Sequence, residues 1–260
     1  MMMWIFEEFR YWVPPEKMLV ALVFSLFLGA LAYRAKIADV SALLSAALLG
    51  VLIIVFSGLP PWFLLLLTFF ILGGGFTRYK YAYKESIGIA QAKNGIRSYE
   101  NVFSNSTAAL VLAVAYGVFP DQSLPIIYAY MGTVATATGD TLASEIGTTA
   151  KGKPIMITTL KPSEPGSDGG AVSLLGELAA IFGSAIIGVL GYALGISSDL
   201  FLSVLITTAG GFFGTNIDSL LGATLQKRGL LSNSGGVNFA ATFAGAGGVS
   251  AAIYLLVSGF

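Results

Sequence analysis

The 260-residue chain contains neither cysteine nor histidine. Without thiols there is no disulfide, no thiolate metal site and no cysteine nucleophile. Without imidazole there is no Ser-His-Asp triad, no histidine-bound zinc or haem, and no imidazole general base. Charge is scarce too: 11% of residues are charged, against about 25% in an average soluble domain. Fourteen Lys and Arg balance fourteen Asp and Glu, so no net field draws the chain to nucleic acid. No Gly-x4-Gly-Lys-[Ser/Thr] phosphate loop occurs either. What is plentiful is apolar: 55% hydrophobic residues, a mean hydropathy of +0.80 and 32 glycines. Glycine in that amount suits helices packed closely inside a bilayer. The sequence predicts an all-α, polytopic transmembrane helix bundle.

A bilayer core of about 30 Å takes roughly 20 mostly apolar residues per helix. On that measure the sequence predicts eight spans, near Lys17–Tyr33, Asp39–Ser57, Pro61–Thr77, Asn101–Phe119, Ser123–Gly147, Gly169–Gly195, Leu200–Gln226 and Val237–Ser258. Residues 1–16, aromatic-rich and carrying Glu7, Glu8 and Arg10, are too short to span and read as an interfacial helix. Residues 17–260 read as a single transmembrane domain. Alternate connections hold the basic residues: Arg34 and Lys36, then Arg78, Lys80, Lys84, Lys93 and Arg97, then Lys151, Lys153 and Lys161, then Lys227 and Arg228. The other three connections and the C-terminal tail carry none. Cytoplasmic connections are the ones enriched in Lys and Arg. The basic face is therefore expected in the cytoplasm, in the cell membrane.

Polar residues are concentrated in the second half. In the seventh span Gly210, Gly214, Asp218, Gly222 and Gln226 recur every four residues, and in the fifth Gly132, Thr136, Asp140 and Ser144 do the same. That period puts each set on one helix face, and small residues there let two backbones approach closely. An intramembrane carboxylate is costly unless paired, hydrated or metal-bound, so Asp140 and Asp218 are functional candidates. The runs Asp140-Thr-Leu-Ala-Ser and Asp218-Ser-Leu-Leu-Gly resemble each other, which suggests a parallel repeat of spans 5–6 and 7–8. Both carboxylates lie toward the basic side. There the loop Lys161-Pro-Ser-Glu-Pro-Gly-Ser-Asp-Gly169-Gly170 leads into span 6, and Ser234-Gly-Gly236 leads into span 8. Glycine before a helix frees N–H groups for an anion, and carboxylates beside an anion site suit Mg²⁺ bridging phosphates. The composite is a site for a di- or triphosphate at the cytoplasmic interface. A phosphate monoester acceptor needs no imidazole base, and a site that opens at a bilayer points to a lipid phosphate.

Three segments carry a resemblance: Thr138-Gly-Asp140-Thr-Leu-Ala-Ser-Glu145-Ile-Gly147, Gly166-Ser-Asp168-Gly-Gly-Ala-Val-Ser173-Leu-Leu-Gly176 and Asp218-Ser-Leu-Leu-Gly-Ala-Thr-Leu-Gln226. They are similar to the signature blocks of an integral-membrane family that includes the plastid phytyl-phosphate kinase of vitamin E synthesis. Arg97-Ser-Tyr-Glu-Asn101-Val-Phe-Ser-Asn105 and Val237-Asn238 are similar too. The resemblance implies transfer of a phosphoryl group from a nucleoside triphosphate, CTP favoured, to an isoprenyl monophosphate such as phytyl or geranylgeranyl phosphate. It implies that Asp140, Glu145 and Asp218 hold Mg²⁺ and the triphosphate. It implies that Asn105, Ser167, Gly169, Gly170, Ser173, Gln226 and Asn238 line the phosphate or base pocket. Lys93, Arg97 and Lys161, beside these blocks, are candidate phosphate contacts, and Asn101, Asp168 and Asn216 complete the candidate binding set. Two alternatives stay open: a cytidylyltransferase, which would use the same metal and triphosphate site to form a CDP-lipid and release pyrophosphate, and a secondary transporter, which midplane carboxylates, Gly-broken helices and a parallel repeat also describe. A homodimer is also open.

Overall fold

The computed structural model describes residues 15–58, 60–91, 93–166, 170–230 and 234–259. The expected interfacial helix lies at 1–14, outside the described residues. The chain forms α1 (Pro15–Arg34), α2 (Val40–Ser57), α3 (Pro60–Arg78), a short α4 (Tyr81–Ser86), α5 (Tyr99–Val118), α6 (Ser123–Gly147), α7 (Leu174–Ala193) and α8 (Leu200–Leu221). A last helix runs from α9 (Ser234–Ala240) into α10 (Gly248–Ser258). Two stretches widen to π-helical turns, Gly222–Gln226 at the end of α8 and Ala241–Gly247 between α9 and α10.

Local chemistry sets several boundaries. Asp39 caps α2, its Oδ1 accepting from Ala42 N at 2.9 Å, and left-handed Gly58 (φ 74°) ends that helix. Asp199 caps α8 through Leu202 N at 2.9 Å. Ser98 and Asn101 form a reciprocal capping box at α5.

Eight helices occupy the eight expected spans, and six of them are long and apolar enough to cross a membrane: α2, α3, α5, α7, Leu200–Gln226 and Gly235–Ser258. The apolar part of α1, Met18–Arg34, is shorter. α6 has 25 residues but is not one of the six, and its surroundings give the reason. It packs on α3, α5, α7, α8 and α10, and from Tyr128 to Gly139 every residue is buried. A helix sheathed in protein can carry Thr and Gly where a lipid-facing one carries Leu. Its outer half joins an aromatic core, with Tyr130 Oη donating to Trp62 O at 2.6 Å. The expected loop after α6 contains one strand pair, β1 (Ile155–Met156) antiparallel to β2 (Ala171–Val172), Ile155 facing Val172.

Candidate active site

The basic end of the bundle holds a cavity of about 540 Å³, within the range of small-molecule sites. Its walls are the C-terminal end of α6, the π-turn closing α8, the first turns of α5, α7 and α9, and the β1–β2 hairpin. The tight crossings beneath it depend on glycine. At Gly147 and Gly176 the backbones of α6 and α7 nearly touch, and a Cβ on Gly147 would lie 2.9 Å from Gly176 Cα. Ser173 stitches this crossing: its Oγ accepts from Gly176 N and donates to Gly147 O, both at 3.1 Å. Gly170 is pressed onto the π-turn, where a Cβ would meet Ala223 Cβ at 2.4 Å.

Asp140 on α6 and Asp218 on α8 line the same cavity and lie close enough to repel each other. Glu145, expected beside them, lines it too, but its oxygens are engaged: Thr77 Oγ1 donates to Oε1 at 2.9 Å and Lys84 Nζ pairs with Oε2. Lys84 also donates to Thr77 O at 2.8 Å and is buried. Among the described residues no three acidic side chains form a metal-ligating group; the cavity offers a pair of carboxylates and, beside them, a lysine-bound third.

Arg97, Asn101, Asn105, Gly170, Ser173, Gln226 and Asn238 all line this cavity. Asn238 Nδ2 donates to Asn105 Oδ1 at 3.2 Å, joining α9 to α5, while the Asn101 side chain is occupied as a cap, accepting from Ser98 N at 3.1 Å. Arg97 is 3% exposed, and its Nε finds no partner among the described residues. Its guanidinium stacks 5.2 Å from the Phe69 ring. Burial lowers its pKa to about 10, with Glu145 opposing, so it stays charged at neutral pH. Asn216 is outside the lining: its Nδ2 donates to Phe212 O and to Glu177 Oε2, both at 3.0 Å. Glu177 itself reaches the cavity. Lys161 is exposed on the hairpin loop, outside the lining, and Lys93 is placed by its backbone in the turn Lys93–Gly95. Ser167, Asp168 and Gly169 fall outside the described residues.

This set of residues coincides with a match to a known family: residues 23–251 match Integral membrane protein DUF92. The chain belongs to that family. Among its DUF92 relatives, an uncharacterized membrane protein of Synechocystis sp. is 38% identical over 71% of this chain and 70% of its own length. An uncharacterized membrane protein of Methanocaldococcus jannaschii is 32% identical over 88% of this chain and 91% of its own. Protein VTE6, chloroplastic, of Arabidopsis thaliana is 32% identical over 51% of this chain and 40% of its own. No solved structure matches.

Several cavity residues, Ser219 and Lys84 among them, escaped the sequence reading of this DUF92 chain. Ser219, next to Asp218, lines the cavity, and its neighbour alone could have flagged it. Lys84 carries no distinguishing sequence signal, since it sits in a run of basic and tyrosine residues where every charge reads as a topological one.

Proposed function

We propose that the chain is a membrane kinase that transfers the γ-phosphoryl group of a nucleoside triphosphate, CTP favoured, to an isoprenyl monophosphate at the cytoplasmic face of the cell membrane. The observation that carries the reading is one cavity at the basic end, where two unlike halves meet: the Asp140–Asp218 pair and the buried Arg97, whose Nε has no hydrogen-bond partner among the described residues. The resemblance of the segments around Asp140, Ser173 and Asp218 to the phytyl-phosphate kinase family supports the reaction class, and the likeness to Protein VTE6, chloroplastic, is in keeping with it. On this reading α6–α7 and α8–α10 are repeated units, each delivering one carboxylate.

The donor set fits Mg²⁺. Asp140 and Asp218 are hard oxygen ligands with no imidazole or thiolate nearby, and they repel each other in a way a divalent cation relieves. Mg²⁺ characteristically takes one or two protein carboxylates and completes its shell with phosphate oxygens and water. When bound, it neutralises charge along the triphosphate. The protein's share is positioning. Arg97 anchors the acceptor phosphate through a fixed, planar set of donors, and the N-terminal end of α7, the positive end of the helix dipole, receives phosphate oxygens of the donor. An oxygen of the acceptor monophosphate attacks the γ-phosphorus, the bond to the β–γ bridging oxygen breaks, and the nucleoside diphosphate departs. The acceptor oxygen is already anionic, so no base is needed, in keeping with a chain that lacks histidine.

The seam below the cavity supports a site rather than a path: a Cβ on Gly214 would lie 2.3 Å from Thr136 Oγ1, so α6 and α8 are in contact there. The deciding experiment supplies purified protein with Mg²⁺, geranylgeranyl monophosphate and each nucleoside triphosphate labelled at the γ or α position. γ-Label in a lipid diphosphate supports the kinase. α-Label in a lipid product would replace it with a cytidylyltransferase.

A further inference from the structure

Four acidic residues line the cavity among those described, and three of them are accounted for: Asp140 faces Asp218, and Glu145 is tied to Lys84. The fourth, Glu177 in the first turn of α7, stands apart. Its carboxylate joins no ion pair among the described residues, and it completes no metal-ligating group with the aspartates. We infer that Glu177 receives the sugar of the nucleoside triphosphate, accepting a hydrogen bond from a ribose hydroxyl, with Asn216 as its positioning residue. This rests on the phosphotransfer reading and extends it to the nucleoside half of the donor.

Asn216 holds Glu177 from outside the lining. Its amide nitrogen carries two hydrogens and donates to two acceptors, Phe212 O within α8 and Glu177 Oε2 across to α7, each at 3.0 Å. One carboxylate oxygen is thus fixed from behind, and Oε1 keeps its acceptor capacity for the occupant of the cavity. The chemistry of the ligand then decides what meets it. A carboxylate offers acceptors only. A triphosphate offers acceptors and negative charge, so the two repel unless a cation lies between them. The parts of a nucleoside triphosphate that can donate are its ribose hydroxyls and an amino group on the base. A hydrogen bond to a charged oxygen is about twice as strong as a neutral one, and an acidic residue reads a ribose hydroxyl in the same way in dinucleotide-binding folds. Position favours the ribose over the base. The N-terminal end of α7 receives phosphate oxygens, and Glu177 lies four residues past the cap Ser173, about 6 Å along the axis. The sugar is bonded directly to the innermost phosphate, whereas the base lies one group further on.

The first measurement needs no variant. Wild-type protein in detergent, with Mg²⁺ and no acceptor, is titrated calorimetrically with CTP, UTP, ATP and the 2′-deoxy and 3′-deoxy counterparts of each. The ribonucleotide is expected to bind about tenfold more tightly than at least one of its deoxy counterparts, the usual weight of a hydrogen bond to a charged group. Equal dissociation constants would overturn the assignment. Glu177→Gln then tests the residue. Its amide oxygen can keep the bond from Asn216, which leaves the NH₂ group where Oε1 stood, so an acceptor becomes a donor while the tie between α7 and α8 remains. The ribose preference is expected to fall toward one. A preference that survives in the folded variant would remove Glu177 from the sugar site. So would a variant that loses its discrimination between CTP and UTP instead, because that places the base amino group at this oxygen. The kinase reading fails by a different result, since these titrations need no turnover. Ribose preference in a protein that transfers no phosphate would sink the kinase and keep the sugar site. Turnover without ribose preference would do the reverse.

Discussion

Lys84 and Glu145 bury opposite charges at the base of the cavity, with side chains 3% and 5% exposed. Breaking such a pair strands one charge in a poorly solvated place at a cost of about 3–5 kcal/mol, whereas replacing both partners with apolar groups is often near neutral. Glu145→Gln is therefore expected to lower the thermal midpoint of the detergent-solubilised protein. The double change Lys84→Met with Glu145→Leu should recover most of it. Loss of activity at an unchanged midpoint in Glu145→Gln would instead assign that carboxylate to the metal. Asp140→Asn and Asp218→Asn belong to the opposite class: turnover lost, fold kept, as gel filtration and the same thermal assay would show. Near-normal rates in both would remove the metal role. The four-residue spacing made Asp140 and Asp218 legible because it reports which side of a helix a residue occupies. It could not reveal Lys84, since a partner on another helix leaves no trace in local periodicity. Asn216 shows the converse: expected in the binding set, it does not line the cavity and bonds Glu177 instead, and two residues along a helix from Asp218 is a different face.

At the scale of elements, the site depends on how closely α6 and α8 approach. Gly214 lies against Thr136, Gly211 against Ala135, and Gly139 against Thr215 Oγ1, where a Cβ would stand 3.1 Å away. Gly214→Ala is expected to force the helices apart at about 1–3 kcal/mol, the usual cost of overpacking, and to lower turnover by moving Asp140 from Asp218. Adding Thr136→Gly should restore part of both, and thermal unfolding with a rate measurement on the pair checks it. The small-residue stripes announced this seam in the sequence. The π-turn at Gly222–Gln226 was not legible, because inserting one residue per turn is settled by what packs outside it: here Gly170 on the hairpin presses on Ala223. Such turns re-aim side chains at functional sites, and this one places Gln226 on the cavity wall. The hairpin was missed for a related reason, since strands two residues long have no readable alternation.

For the molecule as a whole, the absence of cysteine turns topology into a clean measurement, because any introduced thiol is the only one present. Gln122 and Gly152 flank α6 at opposite ends; Gln122 is exposed, and the Cβ direction of Gly152 meets no atom within 4 Å. With the basic end in the cytoplasm, Gly152→Cys is expected to react with a membrane-impermeant maleimide in inverted vesicles, and Gln122→Cys in right-side-out cells. Reaction of both from one side would mean that α6 does not cross. The eight helical segments were legible because apolar length dominates everything else in a bilayer. The distinction between six strongly apolar helices and a sheathed one depended on neighbours distant in the chain. That sheathing has a consequence for biogenesis. As α6 leaves the ribosome, its buried threonines, its glycines and Asp140 meet a translocon before α7 and α8 exist to cover them. Polar and charged residues lower the tendency of a helix to enter lipid, and α6 is not among the strongly apolar helices. Its insertion is expected to be completed by the helices translated after it, so that Asp140 and its neighbours make the order of synthesis part of how the membrane fold is reached.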